Sequence, residues 1–396
     1  MVNRGDSTKA FLIIDLGASL AHTHHKQSIY AFADLLQNNK VSFEAWVPFG
    51  SRIDSCGFPL KKNLIPGTHG TSFKFFDMRS WFDATFTKLL SYAVHLKIDF
   101  FTRLLVFISA KYLCLLIARD SQDRKREIIF TTACPFAIKT VYLLEKNNIQ
   151  ASIFFRLTNT SETRGILSEK YDFKKLISDS KNFTNIAMRF GVETENYLNE
   201  LAVAHDLRFF ISPIPYIKQS FSNVNNSRDI TISFLGHPTR NKGREHIISI
   251  IQGVSKYRPW FKWQVHLYDE DPLESDLYKL NLEIFIVNGK IHNEVMKSLL
   301  HKTSVLCLPY DVEAFRLHAS AMLYQSMDYL KPVFSFDGTS FSKDILKFNL
   351  GAVAKTSNEL CDQLVDIDIK KVNSWVEGCK AYNKYRNLSN KKFLGL

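Results

Sequence analysis

The feature that most constrains this chain is an alternation of short apolar runs with segments of helical spacing, broken once. "FLIIDLGAS" (11–19) reads as a strand buried on both faces that runs into a glycine turn. "HKQSIYAFADLLQNN" (25–39) follows, with Ile29, Phe32, Ala33, Leu35 and Leu36 along one helical face, and "VSFEAWVP" (41–48) is apolar again. Strand, helix, strand implies a parallel sheet with helices over its faces, because parallel strands need a crossover between them. Residues 72–120 read as two helices, 126–134 as a strand, 137–148 as a helix and 151–157 as a strand. A strand and a helix are expected in 185–202, and a further strand in 207–215.

The alternation then stops. "PYIKQSFSNVNNSRD" (215–229) is polar, led by proline and rich in Ser and Asn, which marks a linker. After it, strands are expected within 230–236, 261–269, 283–289, 304–310, 332–336 and 351–354. Helices are expected in 242–257, 292–303, 357–367, the stretch after Arg316 and the last 25 or so residues. The fold class is therefore α/β: two tandem Rossmann-like, doubly wound domains facing a central cleft. The boundaries are a tail (1–10), an N-terminal domain (11–215), a linker (216–229), a C-terminal domain (230–370) and a final helix (371–396) packing back on the N-terminal domain.

Composition narrows the function classes. At 45% hydrophobic and 23% charged residues the chain is globular, not disordered. Its net charge of +12 favours anionic partners. No run of five or six Lys/Arg and no zinc-like spacing is present, so no nucleic-acid partner is expected. The six cysteines form no C-x-x-C pair, which suits a reduced, cytoplasmic protein. Asp15 interrupts the first apolar run, so a signal peptide is not expected. The most apolar stretch, 100–118, is broken by Arg103 and Lys111 and is too short to span a bilayer. It reads either as a buried helix or as an amphipathic face lying on an anionic membrane surface.

Ligands of doubly wound sheets bind beyond the carboxyl ends of the strands, so the loops after strands are the places to search. "SFLGHPTRNKGREH" (233–246) ends a strand at Gly236, carries Arg240 and Lys242, and starts a helix near Gly243. Glycine permits close backbone approach, and two cations beside a helix N-terminus attract phosphate. "SVLCLPYDVEAFRLHASAMLYQ" (304–325) repeats the arrangement, with Tyr310 at the strand end, Arg316 where a helix is expected to begin, the small residues Ser320 and Ala321, and Gln325 about one and a half turns on. In the N-terminal half, "HTHH" follows the Gly17 turn and places His22 and His25 in the acceptor cleft or in a plain polar loop; a metal site is not expected. "FFRLTNTSE" (154–162) ends a strand in Arg156, Asn159 and Glu162, with Arg156 or Glu162 as the candidate contact to sugar or acceptor. The other reading there is a turn in which Thr160 or Ser161 caps the next helix.

The second half resembles the donor-binding half of a GT-B glycosyltransferase, and is most similar to the retaining family 4 (glycosyl transferases group 1) type. The likeness rests on the strand, glycine, Arg/Lys loop and helix of 233–246 and on "VLCLPYDVEAFRLHASAMLYQSMDYLKPVF" (305–334), with Pro309, Arg316, Ser320-Ala321, Gln325 and Leu330-Lys331-Pro332-Val333 at the motif positions. It implies a nucleoside-diphosphate sugar as co-substrate, no metal or other cofactor, and a hexose passed with retention to a polysaccharide or lipid-linked acceptor. Arg240 and Lys242 would neutralise the leaving diphosphate, with Arg156 the third catalytic candidate. Gly236, Tyr310, Arg316, Ser320, Ala321 and Gln325 would hold the donor. Gly17, His22, His25, Asn159 and Glu162 would line the acceptor side. The cysteine usage places the protein in the cytoplasm, and the basic, aromatic 72–120 region suits an anionic membrane surface and so a peripheral position at the inner face of a membrane. Three positions depart from the pattern: Ala321 stands for Gly, Gln325 for Glu, and Leu317 for the upstream Glu. They carry an alternative reading, a catalytically silent GT-B-fold binding or partner subunit.

Overall fold

A computed structural model describes residues 9–16, 24–48, 51, 53–54, 57–64, 99–123, 125–157, 173–201, 205–217, 229–236, 238–289, 291 and 293–396. The chain divides into two compact units. Unit 1 holds Met1–Glu193, Leu198–Pro215 and Ser389–Leu396, and unit 2 holds Thr194–Tyr197 and Tyr216–Leu388.

Unit 1 is built on a seven-stranded sheet of order β3-β2-β1-β4-β5-β6-β7. Its strands are β1 (Ala10–Ile14), β2 (Ser42–Pro48), β3 (Leu60–Leu64), β4 (Glu127–Phe130), β5 (Ala151–Leu157), β6 (Ile186–Val192) and β7 (Phe209–Ile211). Every pairing is parallel. Helices α1 (His24–Asn38), α2 (Asp99–Asp123), α3 (Pro135–Lys146) and α4 (Phe173–Asp179) accompany it. β1 is an unbroken apolar run because a central parallel strand is covered on both faces, and Phe11 to Ile14 are buried. Strand β3, "LKKNL", was not expected, because Lys61 and Lys62 are exposed on a sheet edge where apolar alternation is not required. The chain's end closes this unit: Phe393 is buried with its ring 5.5 Å from that of Phe154, and Asn390 donates to the Pro213 carbonyl at 2.7 Å.

Unit 2 is built on a six-stranded sheet, also parallel throughout, of order β10-β9-β8-β11-β12-β13. These are β8 (Thr231–Phe234), β9 (Lys262–Leu267), β10 (Ile284–Asn288), β11 (Val305–Leu308), β12 (Val333–Phe336) and β13 (Gly351–Ala354). The short helix α5 (Glu195–Glu200) precedes α6 (Ile247–Ser255), α7 (Leu273–Tyr278), α8 (Asn293–Lys302), α9 (Ala321–Asp328), α10 (Ser342–Phe348), α11 (Ser357–Val365) and α12 (Ile369–Leu394). The α/β class of two Rossmann-like sheets is as the sequence implied.

Two local expectations are corrected. The helix expected from 242 begins only at Ile247, after two 3₁₀ turns, Arg240–Lys242 and Arg244–His246. Left-handed Gly243 (φ 72°) separates the turns and prevents one continuous helix. Arg316 does not stand at a helix start: α9 begins at Ala321, and Arg316 lies in the preceding turns. Helices α7 and α10 lie in stretches too short and polar to show helical periodicity.

Candidate functional site

In unit 2 the strand order reverses between β8 and β11, and a crevice opens at such a reversal beyond the strand ends. The loops after these two strands are stitched together there. Asp311 N–H donates to the Asn241 carbonyl at 3.0 Å. Gly243 packs so closely that a Cβ on it would stand 1.8 Å from the Pro309 carbonyl oxygen. Gly236, at φ 96°, abuts Met322 in the first turn of α9, where a Cβ would stand 2.7 Å from Met322 Cγ. Two left-handed glycines thus let the β8 loop, the β11 loop and the start of α9 meet.

The cations of the first loop divide their roles. Arg240 is exposed on the rim. Lys242 is half-buried, its Nζ donating to the Gly236 carbonyl at 2.7 Å, and burial pulls its pKa below the ordinary lysine range. It lines a cavity of about 10 Å³ with Phe234, Pro238, Cys307 and Pro309, about the room one water needs. Arg244 is committed elsewhere, to a two-pronged ion pair with Asp271, which also accepts from Leu273 N–H at the head of α7. His266 on β9 is buried and joins two loops: its Nδ1 accepts from Gly236 N–H at 3.3 Å and its Nε2 donates to the Gly289 carbonyl at 2.8 Å.

The second loop is held by its backbone. The Arg316 carbonyl accepts from Asn196 Nδ2 at 3.1 Å, and the Leu317 carbonyl from Thr194 Oγ1 at 3.2 Å. The Arg316 side chain is exposed. Ser320 is the N-cap of α9, its hydroxyl accepting from Leu323 N–H at 3.3 Å. Tyr310 is buried and bonded to that hydroxyl, and burial pushes its phenol well above the ordinary range. Tyr310 and Ser320 therefore shape the loop from within. Along α9 only Ala321 and Gln325 are not buried, and four residues apart they share one face. At the far end, Leu330 takes the left-handed position (φ 54°) of a Schellman turn, with Lys331 N–H on the Ser326 carbonyl and Leu330 N–H on that of Met327.

Unit 1 places its candidates differently. Arg156, expected as a ligand contact, is wholly buried. Its guanidinium pairs with Glu193 at 2.8 Å, donates to the Ser212 and Thr131 carbonyls, and lies over the Phe32 ring. These groups occupy the guanidinium, so Arg156 holds the core of unit 1. His25 is buried at the start of α1, Nδ1 3.0 Å from the Asp15 carboxylate, which also accepts from Thr131 Oγ1 at 2.5 Å. This cluster stands where the strand order of unit 1 reverses, between β1 and β4. Gly17, His22, Asn159 and Glu162 lie outside the described residues, as do 218–228 of the expected linker. Among the described residues no three His, Cys, Asp or Glu side chains converge as metal ligands would, and no helix is long and apolar enough to cross a membrane.

No family model and no curated protein matches the sequence. Solved structures do. The chain is similar to the lipopolysaccharide outer core galactosyltransferase WaaB, at 12% identity over 98% of this chain and 100% of that one, with a TM-score of 0.58. It is similar to Anabaena HepE in complex with UDP, at 10% identity over 98% and 99% of the two chains, with a TM-score of 0.59. OtsA in its apo structure matches at 10% identity over 97% and 99%, with a TM-score of 0.56. The fold is that of the GT-B glycosyltransferases. Within this fold the strand-end loops of unit 2 bring together Gly236, Lys242, Tyr310, Ser320 and Ala321, with Arg240 exposed on the same loop. Sequence reading missed His266 and Asp271. A histidine inside an apolar strand, "WQVHLYD", is the one signal that could have pointed to the first.

Proposed function

We propose that this protein is a retaining, metal-independent hexosyltransferase that takes a nucleoside-diphosphate sugar and glycosylates a polysaccharide or lipid-linked acceptor. The observation that carries the reading is the gathering of Gly236, Arg240, Lys242 and the capped start of α9 at the reversal point of the unit 2 sheet. Backbone N–H groups at Ala321 and Met322 would receive a phosphate oxygen. Arg240 and Lys242 would supply positive charge where the leaving diphosphate develops its negative charge. Lys242 would exchange the Gly236 carbonyl for a phosphate oxygen, a trade that favours the charged acceptor. Gln325, on the open face of α9, would hydrogen-bond the ribose hydroxyls, donating and accepting without charge. The C1–O bond to the diphosphate breaks, the acceptor oxygen bonds C1, and the acceptor's proton goes to the departing diphosphate. Retention and the family 4 type rest on the sequence resemblance. UDP in the HepE structure makes uridine nucleotides the first to test. The site of action would be the cytoplasmic face of a membrane.

Thermal shift against nucleoside diphosphates and sugar nucleotides tests this reading. A ligand at about a hundred times its Kd stabilises the fold by about 2.7 kcal/mol. One nucleotide should raise Tm, and Arg240→Ala/Lys242→Ala should abolish the shift. No shift at millimolar ligand across the panel overturns it.

A further inference from the structure

Helix α2 has two apolar faces, and only one is packed. Val106, Ala110, Leu113, Cys114 and Ile117 are buried, and Thr140 of α3 approaches the Ala110 carbonyl at 3.5 Å. On the opposite face Leu104 is 40% exposed, Phe107 43%, Ile108 43% and Leu115 60%. Lys111 and Arg119 are exposed among them. At about 100° per residue these six side chains share roughly a third of the helix circumference. A stripe of that width ordinarily faces a core. Here it faces outward, and it is punctuated by cations alone. Residues 104–119 contain no Asp or Glu, and the next acid, Asp120, is half-buried and pairs with Arg126 at 3.5 Å.

We propose that this face of α2 docks the protein on an anionic bilayer, with Leu104, Phe107, Ile108 and Leu115 entering the headgroup boundary and Lys111 and Arg119 meeting lipid phosphates. The charge pattern selects this occupant. A two-fold pairing with a second copy would bring these cations together with no carboxylate to neutralise them. An anionic surface supplies the missing charge, and the long stems of Lys and Arg let their heads reach it while the apolar residues sink. The helix lies on the surface: no described helix is apolar and long enough to cross. This deepens the membrane part of the proposed function and is independent of the donor site.

The test is cosedimentation of the full chain with vesicles of phosphatidylcholine alone and of phosphatidylcholine with one-third phosphatidylglycerol. The wild type should bind the anionic vesicles, and less as salt rises. Phe107→Glu/Leu115→Glu, at exposed sites that leave the fold intact by circular dichroism, should lower that partitioning about tenfold or more. Lys111→Glu/Arg119→Glu should remove the preference for anionic over neutral vesicles. Equal binding by wild type and both variants, or no wild-type binding to either vesicle, overturns the proposal. So does a concentration-dependent dimer in light scattering that Phe107→Glu/Leu115→Glu dissolves, because the second copy would then be the occupant. Nucleotide-induced thermal shifts should be unchanged in both variants, so failure here is distinct from failure of the donor reading.

Discussion

His266 donates from Nε2 to the Gly289 carbonyl at 2.8 Å while its Nδ1 accepts from Gly236 N–H, so one neutral imidazole ties the loop after β8 to the loop after β10. Both bonds require the proton on Nε2 and none on Nδ1. Burial depresses its pKa, the Gly289 bond pulls it up, and Lys242 depresses it further; the net direction is down. A base depressed in the fold contributes stability that is fully present above its unfolded pKa, about 6.5, and is lost as pH falls through the folded value. His266→Gln should therefore cost about 1–3 kcal/mol near pH 7.5. The gap from wild type should narrow toward pH 5, read by urea unfolding across that range. A gap independent of pH would mean that the ring acts only by packing.

Gly243→Ala should be among the most damaging single-methyl changes in unit 2. A left-handed Ala costs about 1–2 kcal/mol by itself, and its Cβ would meet the Pro309 carbonyl at 1.8 Å. The two loops must part to make room, which moves Lys242 from Tyr310 and α9. The variant should lose several degrees of Tm and most of its nucleotide-induced shift. Gly57→Ala is the control, because glycine there is also left-handed but nothing lies within 4 Å of its Cβ. It should keep the nucleotide shift.

What was legible in the sequence follows from what sets each feature. β1 and β11 are apolar throughout because a central parallel strand is covered on both faces, so they announce themselves. The turn of 233–246 was legible because a glycine that closes an apolar run marks a strand end, and Gly236 takes the left-handed conformation there. Arg156 misled for a physical reason: an arginine at a strand end serves a ligand or an internal carboxylate equally well, and the choice was made by Glu193, 37 residues away in sequence. The role of Ser320 was half visible. Its place at a helix start was read correctly, but its hydroxyl caps Leu323 N–H. Gly243 marked the loop but hid that the helix would begin four residues later, because a left-handed residue splits the turn without changing the apolar spacing beyond it.

Arg386 of α12 is buried and pairs with Asp328, the last residue of α9, at 2.8 Å, and its guanidinium lies 5.0 Å from the Tyr324 ring centroid. Asn383 adds a bond to the Met327 carbonyl at 2.7 Å. The C-terminal end of the candidate donor helix is therefore clamped by a helix distant in sequence. Arg386→Met leaves a buried carboxylate without its cation and should cost about 3–5 kcal/mol. Arg386→Met/Asp328→Asn should recover much of that loss, because the stranded charge is gone. Equal destabilisation by the single and double variants, in urea melts, would assign the cost to packing.

Asp344 on α10 runs opposite to His266. Burial raises its carboxyl to about 6; the Tyr382 hydroxyl, 3.0 Å away, lowers it, Glu195 raises it and Lys347 lowers it. The folded pKa lies above the unfolded one, so the native state holds the proton more tightly. That contribution is fully present below about pH 4 and is lost as pH rises through 6. At pH 7.5 the fold carries a buried carboxylate at a penalty on the order of 1–3 kcal/mol. Asp344→Asn keeps an oxygen for the Tyr382 hydroxyl and removes the charge. It should raise unfolding free energy by that amount at pH 7.5 and leave it nearly unchanged at pH 4, measured by urea titration at both. A variant less stable than wild type at pH 7.5 would show that the charge itself holds α12, through Tyr382, against α10.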